Sequence, residues 1–175
     1  MFGLKLFLPS NLHNKKHQIF TTKYIKSSQQ IKRCFCDPSV AVAALELSPE
    51  ALQMQLKTFG YIFEQLCIRD LRAFTQNNHF SHLSYYHDRY GLEADIVLHI
   101  NADKYALIEC KLGSREIDEG AEHLLELKRL IIEHNKAEKQ MPIREPDVQM
   151  IITGGQYAYR RADGVYVVPI GCLRD

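Results

Sequence analysis

Residues 91–111 read GLEADIVLHINADKYALIECK, and the placing of their charges among apolar side chains decides how the chain folds. Two runs, 93–100 and 105–111, alternate with the period-two pattern of strands, and Asn101-Ala102-Asp103 between them makes a hairpin-type turn. In the first run Glu93, Asp95, Val97 and His99 share one face, and Ala94, Ile96, Leu98 and Ile100 share the other. In the second, Tyr105, Leu107, Glu109 and Lys111 oppose Ala106, Ile108 and Cys110. With 101–103 as the loop, Ile100 faces Lys104, so Asp95 falls opposite Glu109 and Glu93 opposite Lys111. Like charges directly opposed in a sheet destabilise it. A charge on so apolar a strand is expensive unless it is paired or holds an ion. The face therefore either looks into water or carries a site.

The flanking segments complete an α/β pattern. A third strand candidate, 82–89, precedes the pair and makes a meander. Asp37-Pro38 and Ser48-Pro49-Glu50 each offer a capping side chain followed by Pro at the first helical position. They predict a short helix over 38–46 and a long one reaching about Phe74, with Leu52, Leu56, Phe59, Phe63, Leu66 and Leu71 at helical spacing. After the meander, residues 118–135 form an amphipathic helix, with Ala121, Leu124, Leu125, Ile131, Ile132 and the Lys128 stem on one side. DVQMIITGG (147–155) reads as a buried strand ending in a Gly turn, and GVYVVPI (164–170) as a final strand. Helix, three-stranded meander, helix and further strands imply a mixed sheet flanked by helices.

At 175 residues and 46% hydrophobic, the chain supports one well-buried domain. Its net charge of +1 names no partner, but the distribution is uneven. Residues 1–36 hold seven Lys or Arg and no acid, against 15 basic and 21 acidic residues from Asp37 onward. We read 1–36 as a basic, poorly ordered arm able to meet nucleic acid electrostatically, and 37–175 as the folded domain. Five cysteines without the spacing of a disulfide scaffold suggest a reducing, cytoplasmic setting. Cys34-Phe35-Cys36 lacks the second pair that a zinc site needs. No apolar run approaches membrane-spanning length.

A divalent cation between Asp95 and Glu109 would turn carboxylate repulsion into coordination. Mg²⁺ takes few protein oxygens and leaves the rest of its shell to water and phosphate. Lys111 beside it could hold the attacking water or a phosphate oxygen, the minimum for metal-assisted phosphodiester hydrolysis. Glu64, within YIFEQLCI on a largely apolar helix, is either a surface acid or a third ligand aimed at the strands. His79, His82 and His87 read as surface or turn residues. His99 shares the Asp95 face but lies about 13 Å along the strand from it, too far to join the same ion. Arg69, Arg72, Arg160 and Arg161 suit either phosphate contact or a solvated face.

Asp95, then Glu109-x-Lys111, with Glu64 in the preceding helix, resembles the PD-(D/E)xK nucleases, whose core is a helix, a three-stranded meander, a helix and a strand. KRCFCDPSVAVAALELSPEAL, KTFGYIFEQLCIRDLR, GLEADIVL, ALIECKLG, IDEGAEHLLELK and YAYRRADGVYVVPIG, together spanning most of residues 32–171, resemble, more closely still, the uncharacterised domain that ends many prokaryotic AAA+-type ATPases. The resemblance implies a restriction-endonuclease-like fold, Glu64, Asp95 and Glu109 as metal ligands for Mg²⁺ or Mn²⁺, and Lys111 as the catalytic lysine. DNA is the implied substrate and an AAA+-type ATPase a possible partner, since the chain has no GxxxxGK[ST] loop of its own. A nuclease-fold module that binds DNA or protein without cutting is the alternative expectation.

Overall fold

The computed structural model describes residues 34–76, 81–88, 90–137, 139–140 and 142–173. The arm expected over 1–36 falls outside them except for its last three residues, and His79 also lies outside. Three helices come first: α1 (Pro38–Ala44), α2 (Pro49–Met54) and α3 (Leu56–Thr75). The strands β1 (His82–His87), β2 (Glu93–His99) and β3 (Tyr105–Lys111) follow as the meander. Helix α4 (Ile117–Ala137) then leads to β4 (Val148–Thr153), β5 (Tyr159–Arg160) and β6 (Tyr166–Pro169). They form one mixed sheet in the order β1-β2-β3-β4-β6-β5, with β3, β4 and β6 parallel and the other pairings antiparallel.

The predicted caps form. Asp37 accepts the Ser39 N–H at 2.8 Å and Ser48 the Ala51 N–H at 3.1 Å, each just before a Pro at the first helical position. The long helix expected from Pro49 to Phe74 is two helices. Gln55 leaves helical geometry at φ −114°, ψ 64° and separates α2 from α3. No residue of α2 is fully buried. The break frees α3 to turn Phe63, Cys67, Ile68 and Leu71 onto the sheet, whereas Leu56, expected on that stripe, is exposed.

Helices cover both faces of the sheet, which is why β3 and β4 are apolar almost throughout. On one face α3 packs on Ile96, Ala106, Ile108 and Ile152. On the other α4 presents Ile117, Ala121, Leu124, Leu127 and Ile131 to Val97, Leu107, Ile151 and Val167. Among the described residues no helix is long and apolar enough to cross a membrane.

The hairpin has the predicted frame. Ile96 pairs Ile108, Val97 pairs Leu107, Leu98 pairs Ala106 and His99 pairs Tyr105, and the Ile100 N–H donates to the Lys104 carbonyl at 2.8 Å. Strict alternation along β2 fails at one place. Ser84 pairs Val97 while Tyr86 pairs Ala94, so β2 carries one residue more than β1 between these pairs. This bulge at Asp95-Ile96 moves Ala94 to the α4 face with Val97, away from Ile96 and Leu98. The two-residue strand β5, pairing Tyr159 with Val167 and Arg160 with Tyr166, was not anticipated. It is too short for periodicity to mark.

Because Ile108 is fully buried at the centre of the sheet, Ile108→Ala should destabilise the domain by about 2–5 kcal/mol. Leu45→Ala, at a largely exposed position, should change stability by no more than about 0.5 kcal/mol. Urea unfolding with unchanged slope checks both.

Candidate active site

The face that β3 turns to α4 is apolar at Tyr105 and Leu107 and then changes to Glu109 and Lys111. Glu109 is 0% exposed. Gly120 explains how α4 covers it. A β-carbon there would lie 3.0 Å from Lys111 Cε, 3.3 Å from Lys111 Cγ and 3.6 Å from Glu109 Cβ. A glycine inside a helix costs about 1 kcal/mol relative to Ala, and here it lets the helix pass directly over the lysine stem.

Two basic side chains flank the carboxylate. Lys111 Nζ lies 3.0 Å from Glu109 Oε2, and His123 Nδ1, almost one turn beyond Gly120 on α4, lies 3.5 Å from Oε1. Neither carboxylate oxygen nor His123 Nδ1 completes a directional hydrogen bond, although all three atoms are buried. The contacts are ionic in distance without the alignment of a hydrogen bond.

Asp95 reaches the site through the bulge. Regular pairing of β2 with β3 runs only to Ile96 and Ile108. Beyond it the Asp95 carboxylate accepts the Cys110 N–H at 2.9 Å, in the place of a backbone partner. Asp95 and Glu109 therefore approach by a side-chain route, where alternation alone predicts a plain cross-strand pair. Glu93 contacts His87 at 3.2 Å.

These neighbours set the charge states. Burial, first, and then the Asp95 charge push the Glu109 carboxyl up to about 8, with Glu93 adding to the rise and Lys111 opposing it. Burial acts to lower Lys111, but Glu109, Asp95 and Glu119 together outweigh it and hold the ammonium above its ordinary value. Glu64 is half-buried on α3. It acts with Asp95 on Cys110, whose thiol is pushed up first by a hydrogen bond with Cys67, then by burial and the surrounding charges.

The structure thus groups Asp95, Glu109 and Lys111 and sets Glu64 beside Cys110, on the helix that packs the opposite face. Among the described residues no three His, Cys, Asp or Glu side chains form a ready-made metal cage. His82 and His99 stack at 4.0 Å at the far end of β2, with His99 Nε2 2.9 Å from Ser84 Oγ. Arg69 is engaged by Asp37 and Asp70, Arg161 by Asp118 and Asp163, and Arg160 lies over the Tyr166 ring. Sequence reasoning missed Gly120 and His123. The available signal was the glycine inside an amphipathic helix, which calls for a close packing partner.

Residues 59–173, about two thirds of the chain, match the family model described as a domain of unknown function, DUF4143, and the chain belongs to that family. No curated protein and no solved structure matches it.

The raised Glu109 value has a measurable consequence. Its ordinary value is 4.5 and its folded value about 8, so between these pH values the folded chain keeps a proton that the unfolded chain releases. Stability contributed by this group therefore falls as pH rises through that window. Relative to Glu109→Gln, which cannot ionise, the natural protein should lose on the order of 3 kcal/mol between pH 5 and pH 8. Denaturant unfolding of both proteins at the two pH values checks this. Parallel pH dependence would show that Glu109 is not the titrating group.

Proposed function

We propose that the chain is a metal-dependent nuclease of the PD-(D/E)xK superfamily, hydrolysing DNA phosphodiester bonds. One observation carries the reading: the buried Glu109 carboxylate, flanked by the Asp95 charge and ion-paired with the Lys111 ammonium at 3.0 Å, with neither oxygen in a well-aligned hydrogen bond. A buried carboxylate in that state lacks part of the compensation that burial demands, and a cation supplies it.

The residues fit a magnesium or manganese ion. Such ions accept one or two carboxylates and complete their shell with water and substrate oxygens, so a cage of three protein donors is not required. Asp95 and Glu109 would hold the ion, and Glu64, carried by the helix on the opposite face, is left out of the set. Bound, it supplies charge neutralisation at the phosphate and a more acidic water.

The protein's own part is positioning. Burial beneath α4 fixes Glu109, and the Cys110 N–H fixes Asp95. Lys111, 17% exposed and anchored on the same strand, can orient a water or meet a phosphate oxygen as charge develops. The folded region from Asp37 onward has more acidic than basic residues. Long-range attraction to DNA therefore falls to the basic segment 1–36. An AAA+-type ATPase remains the partner that the resemblance suggests.

The complete enclosure of Glu109 favours a second reading. A protonated Glu109 is an uncharged core group, and the domain would then serve as a binding module with a relic of the site. The two readings part in one experiment. The purified chain is incubated with linear, branched and single-stranded DNA in Mg²⁺ or Mn²⁺, and its melting is followed with and without the ion. The nuclease reading expects cleavage and a raised melting temperature. Lys111→Ala should lower cleavage about 100-fold or more while keeping the metal-dependent stabilisation, because an ammonium is no ligand. Glu109→Ala should lose both. A folded natural chain that neither cuts nor gains stability leaves the binding module standing.

A further inference from the structure

The site has a nitrogen donor that the resemblance does not supply. His123 Nδ1 is buried, makes no hydrogen bond, and points at Glu109 Oε1 from 3.5 Å. Lys111 occupies the other oxygen, Oε2, so Oε1 and Nδ1 form a facing pair. We infer that Glu109 and His123 are two ligands of a mixed oxygen–nitrogen site that takes a first-row transition ion, of the Co²⁺ or Zn²⁺ type, in preference to Mg²⁺.

The spacing supports this over a direct contact. An N–H···O hydrogen bond brings its heavy atoms to about 2.9–3.0 Å, well short of the separation seen. Two donors bound about 2.0–2.2 Å from one tetrahedral ion stand about 3.4–3.5 Å apart. Adjacent donors on octahedral Mg²⁺, at about 2.1 Å, are closer, at about 3.0 Å. Ligand chemistry points the same way, because imidazole suits Co²⁺ and Zn²⁺ while Mg²⁺ prefers oxygen alone.

The two donors are also held in advance. Glu109 is fully buried on a central strand, and Gly120 keeps α4, which carries His123, tight against Lys111. The His123 side chain keeps 30% of its surface exposed, which gives an ion and its waters a way in.

The inference rests on the proposed function only in taking Glu109 as a metal-holding carboxylate; it needs neither DNA nor cleavage. Titration calorimetry with Co²⁺ and with Mg²⁺, on the full chain with its cysteines reduced, tests it. The natural chain should bind Co²⁺ at least about tenfold more tightly than Mg²⁺. H123A should lose that advantage while its Mg²⁺ affinity stays within about twofold of the natural chain's. H123Q, which keeps bulk and polarity at the position, should behave like H123A. H82A, which alters the distant stacked pair, should leave Co²⁺ binding unchanged. Co²⁺ affinity that survives both His123 substitutions would overturn the inference, as would its equal loss in H82A or a natural chain that does not prefer Co²⁺. DNA cleavage in Mg²⁺ that H123A leaves intact, with Co²⁺ binding also intact, sinks the inference and keeps the nuclease. His123-dependent Co²⁺ binding by a chain that cuts no DNA keeps the inference and sinks the nuclease.

Discussion

The site depends on one constraint, the burial of the Glu109 carboxylate between β3 and α4. An isolated ionised carboxylate in such a place costs many kcal/mol. The surrounding residues are arranged around that cost. Lys111, two residues along the same face, brings an ammonium to 3.0 Å. Gly120 removes the one side chain that would push the lysine stem away from α4. The bulge in β2 turns Asp95 so that its carboxylate accepts the Cys110 N–H, while its charge adds to the field that holds Lys111 protonated.

The bulge also decides how far β2 and β3 behave as a ladder. From Ile96 to His99 the hairpin is regular, and each strand contributes to both apolar layers. Past Ile96, β2 stays paired with β1 but meets β3 through the Asp95 side chain. The strands separate there in their bonding, and the acidic groups collect at that end. The two layers do different work. The α4 layer carries Glu109, Lys111 and His123, whereas the α3 layer carries Cys67 and Cys110 with Glu64 near them.

Much of this was legible in the sequence, and the parts that were not share a cause. Pairing Ile100 with Lys104 across the loop 101–103 sets the hairpin register from His99–Tyr105 as far as Ile96–Ile108, because strand parity leaves no freedom there once the loop length is known. The capping residues Asp37 and Ser48 named both early helix starts. A single extra residue at Asp95-Ile96 leaves no mark on composition, so alternation misplaced Ala94. The break at Gln55 has no side-chain cap to announce it. His123 lay hidden because a helical histidine among charged neighbours reads as solvated until the facing strand is known. Glu64 is harder. Its helix and its partly apolar setting were as expected, but α3 packs on the face opposite Glu109, a choice that helical periodicity does not make.

The raised Glu109 value bears on whether a neutral core acid or a metal ligand is the better description. At pH 7 a carboxyl titrating at about 8 is mostly protonated, which suits a domain with no ion in it. Ionising it there takes about 1.4 kcal/mol, one pH unit's worth. That equals about a tenfold change in an ion's apparent affinity at this pH. Burial therefore does not forbid coordination. It leaves the Glu109 carboxyl uncharged until an ion binds, and it couples loading to release of a proton. The Lys111 ammonium limits how far the carboxyl can rise, so the group stays within reach of a cation near neutral pH. A carboxylate buried without Lys111 would resist ionisation much more strongly, and one left in water would give the ion no reason to prefer this place. The Glu-x-Lys spacing on β3 sets the balance between those extremes.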